Sequence, residues 1–303
     1  MTGLPAGRAG AYDTGMTPIV WACRGRRFEI ARPLVLGIVN VTPDSFSDGG
    51  RFNDPAAAVA HALRLEAEGA DLLDVGGEST RPGSASVPEA EELSRILPVV
   101  RELARQTRCP ISVDTSKAAV AAAALDAGAS VVNDVTGLRG DPEMPAIAAR
   151  AGAGVIVMHM QGTPATMQAA PHYDDVVRDV GDFFAERLGA LESAGVAREA
   201  IALDPGVGFG KTGQHNLALL ANLGEFRRFG RPVCLGVSRK GFIGALNGRP
   251  PGERLAGSLA AACFAAAANS AHVVRVHDVA PTRDAMVVID AIRRHRKTDK
   301  TET

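Results

Sequence analysis

The sequence has few aromatic residues, no excess of either charge, few cysteines and no long apolar run. Phe, Trp and Tyr make up 4% of its 303 residues, with one Trp and two Tyr. So few rings argue against a surface that stacks a series of bases. Lys plus Arg number 33 and Asp plus Glu 34, a formal net charge of -1. Polyanion-binding domains carry a strong basic excess, so no nucleic-acid partner is expected. The longest apolar run, 259–268, is Ala-rich and falls far short of the ~20 residues that span a bilayer, so no membrane partner is expected either. Residues 1–17 lack an apolar core flanked by basic residues, and no signal peptide is expected there. The four cysteines, Cys23, Cys109, Cys234 and Cys263, lie far apart, with no CxxC pair. They read as small buried hydrophobes rather than a zinc site or a disulfide framework. A reducing cytoplasm fits that usage.

What is present is a regular alternation. Short runs rich in Val, Ile and Leu recur at 34–40, 72–76, 110–114, 131–134, 154–159, 201–204, 232–237 and 273–277. Each is continuous rather than alternating, as in strands buried on both faces of a parallel sheet. Helical patterns fall between them, at 54–68, 88–103, 117–125 and 175–194. In the last, Val176, Val177, Val180, Phe184, Leu188 and Leu191 form one stripe. Gly69, Gly128, Gly152 and Gly195 each follow a helical run, where a left-handed residue ends a helix. Eight strand–helix repeats in one stretch predict a single-domain (β/α)8 TIM barrel, and an open doubly wound sheet is the weaker alternative. The barrel is expected over 19–297 and begins with a short N-terminal hairpin at 19–30. A Gly/Ala/Pro/Thr-rich tail of disordered composition precedes it at 1–18, and a short tail follows at 298–303.

Barrel active sites are built at the C-terminal strand ends. Those ends carry Asn40, Glu78 with Arg81, Asp114, Asn133, His159, Asp204, Arg239 with Lys240, and Arg275 with His277. One such residue is explained by solvent; eight together predict a polar mouth. Its signs are mixed. Carboxylates match paired N–H donors, as on a 2-aminopyrimidinone ring, while Arg and Lys match phosphate oxygens. The segment Gly206-Val207-Gly208-Phe209-Gly210-Lys211-Thr212 imitates a phosphate-binding loop. It fails because Pro205 stands where the first Gly is required. It reads instead as a flexible loop that lets backbone approach a ligand. His159, Asp134, Asp278 and Arg239 are expected to brace the mouth rather than touch a ligand.

The stretch Asn40-Val41-Thr42-Pro43-Asp44-Ser45-Phe46-Ser47-Asp48-Gly49-Gly50 resembles the first signature of the dihydropteroate synthases. The stretch Asp74-Val75-Gly76-Gly77-Glu78-Ser79-Thr80-Arg81-Pro82-Gly83 resembles the second. Ser112-Val113-Asp114-Thr115, Val132-Asn133-Asp134-Val135 and Met158-His159-Met160 are similar to further family segments. So are Leu203-Asp204-Pro205-Gly206-Val207-Gly208-Phe209, Ser238-Arg239-Lys240-Gly241-Phe242 and Arg275-Val276-His277-Asp278. The likeness runs in order over residues 34–294.

The resemblance implies a folate-pathway condensation. The amine of 4-aminobenzoate displaces diphosphate from (7,8-dihydropterin-6-yl)methyl diphosphate, with Mg2+ as cofactor, by an SN1-like route. It implies that Asp114, Asn133, Met158, Asp204, Phe209, Gly236 and Lys240 bind the pterin. Asn40, Arg275 and His277 are implied for the diphosphate, with Asn40 also ligating Mg2+. Thr80, Arg81, Pro82 and Ser238 are implied for 4-aminobenzoate. Phe46, Asp48, Arg81 and Lys240 are implied at the reacting centre, on loops 42–52 and 79–87 that close over it. It further implies a homodimer through outer helices and competition by sulfonamides. The rival readings are a pterin-dependent methyltransferase, a Schiff-base lyase using Lys240, and a catalytically silent pterin-binding paralogue.

Overall fold

The structure, a computed structural model, describes residues 19–42 and 55–298. The expected N-terminal tail, residues 299–303 of the expected C-terminal tail, and Phe46 and Asp48 lie outside the described residues.

The described residues begin with strands β1 (Val20–Cys23) and β2 (Arg26–Glu29), paired antiparallel. Arg24 and Gly25 both take positive φ, 45° and 79°, the turn geometry that suits the twist of a tight hairpin. Then follow β3 (Leu34–Asn40), α1 (Pro55–Ala67), β4 (Leu72–Gly76), α2 (Glu89–Gln106), β5 (Ile111–Asp114), α3 (Ala118–Asp126) and β6 (Val131–Asp134). The second half comprises α4 (Met144–Ala151), β7 (Gly154–Met158), α5 (Val176–Ser193), β8 (Ile201–Asp204) and α6 (Gly213–Ala221). It ends with β9 (Cys234–Gly236), α7 (Gly241–Asn247), α8 (Leu255–Ala267), β10 (Val273–Val276) and α9 (Val279–Thr298). Strands β3 to β10 form one parallel sheet in the order β8-β7-β6-β5-β4-β3-β10-β9. A parallel bridge from Leu203 to Val233 joins its two edges, and Leu203 N–H donates to Pro232 O at 2.9 Å. The sheet is therefore a barrel, as the eight-fold alternation predicted.

All eight expected strands are present, within one or two residues at each end. Gly69, Gly128, Gly152 and Gly195 all take positive φ after their helices. Helix α5 starts where Asp175 Oδ1 accepts from the N–H groups of Val177 and Arg178. That satisfies two amides that have no partner within the helix.

Strand side chains alternate between faces, so the barrel sorts its residues into two lanes. Val35, Val39, Leu73, Val75, Val113, Val132, Val155, Leu203 and Leu235 point outward and pack under the helices. Each such buried side chain contributes roughly 1.5–3 kcal/mol. Leu34, Leu36, Leu72, Val131, Ile156, Ala202, Cys234 and Val273 fill the lower interior, where Trp21 and Cys23 of the hairpin join them. Trp21 Nε1–H donates to Ala200 O at 2.9 Å, which pins the hairpin as a plug across the N-terminal end. The inward lane continues upward in register as Asn40, Asp74, Asp114, Asn133, Met158, Asp204, Gly236 and Arg275. One barrel interior is thus apolar below and polar above.

Candidate active site

Arg275 crosses the barrel mouth. Its Nε donates to Asp74 Oδ2 and its Nη2 to Asp114 Oδ2, each at 2.6 Å. Asn133 Nδ2 donates to the same Asp74 oxygen at 3.0 Å. Burial opposes the guanidinium's charge, but the two carboxylates outweigh it and hold Arg275 above its ordinary pKa. Burial also pushes the Asp114 carboxyl above the usual carboxylate range, against the pull of Arg275, with Asp74 adding to the rise. Among the described residues Asp74 Oδ1 and Ser112 Oγ have no hydrogen-bond partner. They are neighbours in register on β4 and β5.

Asp204 stands at the end of β8 with Oδ1 accepting from Gly206 N–H at 2.7 Å. Burial raises its pKa, opposed by Lys240 and by that hydrogen bond. Lys240 Nζ donates to Val207 O and lies 4.4 Å from the Phe209 ring centroid, a cation–π contact. Burial pulls its pKa down to about 8, although Asp204 works the other way. A Cβ placed on Gly236 would lie 3.7 Å from Lys240 Nζ and 4.0 Å from Asp204 Oδ2. The glycine therefore keeps the space between them free of a side chain. Met158 joins Val135, Met160, Met167 and Phe209 in an apolar wall beside this space.

Ser238 and His277 meet just beyond the ends of β9 and β10. His277 N–H donates to Ser238 Oγ at 3.2 Å, and its Nδ1 lies 3.0 Å from the same oxygen. Burial, with Arg275 and Arg239 close by, holds the His277 imidazole down at about 4, so it is neutral near pH 7. Ser238 and His277, expected for different substrates, are therefore in direct contact. Arg81 and Pro82 are exposed and Thr80 half-buried, all on the 79–87 loop. The loop leans on the segment after β7 through Gly83 N–H and Pro164 O at 3.0 Å. Asn40 is half-buried at the top of β3, in register with Gly76.

Arg239, Asp278 and Asp134 each hold neighbouring groups of the mouth. Arg239 Nε donates to Asp278 Oδ2 at 3.0 Å. Asp134 accepts from the N–H groups of Thr136 and Leu138. The 206–210 loop departs from expectation because it is tied rather than flexible. Lys211 is buried and donates to His159 Nδ1 at 2.9 Å and to Phe209 O at 3.0 Å, while Asn216 Oδ1 holds Gly208 N–H at 2.7 Å. Gly206 has φ 65°, and a Cβ there would meet His159 O at 1.9 Å. Glycine serves close packing here. Lys211, which made the segment look like a phosphate loop, is a brace.

Sequence reasoning assigned no role to Asp74. Its signal was a lone carboxylate inside the apolar strand Leu72-Leu73-Asp74-Val75, on the lane that faces inward. A barrel whose mouth gathers buried carboxylates with Arg, Lys and His around a glycine has the make-up of an enzyme acting on a small polar ligand.

Known proteins narrow that class. The family model described as "Pterin binding enzyme" matches residues 36–277. The chain is 49% identical over 268 residues to the dihydropteroate synthase of Escherichia coli K12, covering 88% of this chain and 94% of that protein. The Xanthomonas albilineans dihydropteroate synthase, solved with 4-aminobenzoic acid, superposes with a TM-score of 0.86 at 50% identity, covering 91% of this chain and 99% of that one. The Yersinia pestis dihydropteroate synthase, solved in a sulfonamide drug complex, gives a TM-score of 0.86 at 47% identity, covering 90% and 99%. The chain belongs to the dihydropteroate synthase family of pterin-binding enzymes.

Proposed function

We propose that this protein condenses (7,8-dihydropterin-6-yl)methyl diphosphate with 4-aminobenzoate to give 7,8-dihydropteroate and diphosphate, a step of folate biosynthesis. The observation that carries the reading is the slot at Gly236, flanked by Asp204 and Lys240 and walled by Met158 and Phe209. Family membership adds the reaction type.

In this reading Asp204 accepts the ring N–H and 2-amino donors of the pterin, and Asp114 and Asn133 meet its other edge. Lys240 donates to the ring carbonyl side. Arg275 and His277 receive the diphosphate, whose charge grows as it leaves. The C–O bond to diphosphate breaks with its electron pair going to the leaving group. The amine nitrogen of 4-aminobenzoate then bonds to the exocyclic carbon and loses a proton. The electron-rich dihydropterin stabilises the intervening cation, which makes a weak aniline nucleophile sufficient. Thr80, Arg81, Pro82 and Ser238 shape the 4-aminobenzoate side. Phe46 and Asp48 complete this reading at the reacting centre. Exclusion of water by the loops prevents capture of the cation as an alcohol.

Mg2+ belongs to the proposal. Among the described residues no group of three His, Cys, Asp or Glu is placed to hold a metal. Mg2+ ordinarily combines one or two carboxylates with substrate phosphates and water; Asn40 would offer a neutral amide oxygen instead, with the diphosphate supplying the negative charge. The donor chemistry therefore fits an ion held jointly by Asn40 and the diphosphate. Such an ion would offset charge on the leaving group.

Phe264 on α8 and Val287, Val288 and Ile292 on α9 are exposed large apolar side chains on adjacent helices. They support the reading that a second copy of this chain packs there. Among the described residues no helix is long and apolar enough to cross a membrane. With the four free cysteines, that suits a cytoplasmic enzyme. Sulfonamides are expected to compete with 4-aminobenzoate.

The test is diphosphate release with both substrates and Mg2+. Release that depends on 4-aminobenzoate is expected. Pterin binding without release would instead identify a silent paralogue.

A further inference from the structure

The 79–87 loop is closed at its base by one carboxylate. Glu78, immediately before the loop, receives Val87 N–H, at its far end, on Oε2 at 3.2 Å. The same oxygen takes a hydrogen bond from Lys117 Nζ, at the start of α3. Lys117 also donates to Glu92 Oε2 on α2 at 2.5 Å. Glu92 is fully buried, and its other oxygen has no partner among the described residues. Helix α2 grips the neighbouring backbone as well, through Arg95 Nη1–H to Gly77 O at 2.7 Å. Gly77 permits this approach, since a Cβ there would meet Ile96 Cγ2 at 2.7 Å. Within the loop, Ser84 Oγ donates to Arg81 O at 2.7 Å and fastens the turn that presents Arg81.

We propose that Lys117 is a positioning residue: by neutralising Glu78 and Glu92 together it closes the loop base, and so sets where Thr80, Arg81 and Pro82 stand over the mouth. This rests on the reading that the loop serves 4-aminobenzoate. The electrostatics are direct. Without the lysine two carboxylates face one site, and Glu92 is too deeply buried to turn to water. Glu78, 18% exposed, is the carboxylate with a route to water, and its turning outward would release Val87 N–H. Burial alone would lower the Lys117 pKa, but its hydrogen bonds to Glu78 and Glu92 raise it, so the clamp stays charged through neutral pH. A clip that merely joined α2, α3 and β4 would affect both substrates alike. A loop-base clamp affects one.

The experiment compares full-length Lys117→Met and Lys117→Arg with wild type. It reads thermal melting, the KM for each substrate, and hydrogen exchange of the 79–87 segment. Lys117→Met is expected to raise the KM for 4-aminobenzoate by about tenfold and leave that for the pterin diphosphate within about twofold. Exchange in 79–87 should accelerate, and Lys117→Arg should restore both. If Lys117→Met does not fold, Glu78→Ala tests the same split, because it removes the acceptor of Val87 N–H while Lys117 and Glu92 stay paired. Equal rises in both KM values, or unchanged exchange in 79–87, overturn the proposal. If wild type releases no diphosphate, the proposed function fails by itself, while exchange in 79–87 still decides the clamp.

Discussion

Arg275 and Asp114 lie 161 positions apart in sequence and meet at 2.6 Å across the barrel mouth. The same guanidinium holds Asp74, which is fully buried and 201 positions away. One cation thus compensates two carboxylates, one sealed from water and one at the edge of the mouth.

Arg275→Met should therefore destabilise the fold by about 3–5 kcal/mol, because it strands buried charge that the pair had balanced. Arg275→Met combined with Asp74→Asn should recover part of that loss. Urea unfolding checks both, and equal stability of the single and double variants would contradict the pairing.

Asp204→Ala should abolish measurable pterin binding. It leaves two ligand donors unpaired in a buried slot, a cost of about 1–3 kcal/mol for each. Calorimetry with a pterin is the measurement, and unchanged affinity would remove Asp204 from the site.

Turnover should show an alkaline limb. The Lys240 pKa is lowered to about 8 by burial, so the ammonium is lost as pH rises through that value. If the charged form binds the pterin, kcat/KM for the pterin diphosphate falls above about pH 8. In Lys240→Met the limb should vanish together with most of the activity. A limb that persists in Lys240→Met belongs to another group.

Acid should loosen the barrel early. His272 Nδ1 accepts from Val233 N–H at 3.0 Å, next to the bridge that joins the sheet edges. Burial lowers its pKa to about 4 and that of His159 to about 3. The unfolded chain binds protons at these residues below about pH 6.5, and the folded chain does not until much lower pH. Their contribution to stability is complete above about pH 6.5 and is lost as pH falls toward 4 and below. His272→Asn retains an acceptor for Val233 without the titration. It should flatten the decline in melting temperature between pH 6.5 and 4, and an unaltered decline would rule His272 out as its source.

Much of this was legible in the residues because it is local. Continuous Val/Ile/Leu runs mark strands buried on both faces, and glycine after a helical stripe marks its end. Polar residues at or just beyond the strand ends mark the mouth, which is why Asp114, Asn133, Asp204 and Lys240 stand out in the sequence. Pairing was not legible in this way. Asp74 looked like an ordinary signature residue until closure of the sheet brought Arg275 and Asn133 to it. Lys117, just before α3, and Glu92, on α2, lie 25 positions apart and are brought together only by the packed barrel, so no spacing announces them.

Local order of the chain settles the strand count, the helix ends and the two-residue alternation that aims certain side chains inward, since each depends on near neighbours. Which carboxylate faces which cation follows from the parallel register of β10, β3, β4 and β5 for Arg275, and from the Leu203–Val233 closure of the sheet edges for Lys240 and Asp204. So does the change of Lys211 from apparent phosphate ligand to brace, because only the folded loops bring His159 to it. These are distances between residues remote in sequence, and burial gives them their electrostatic weight.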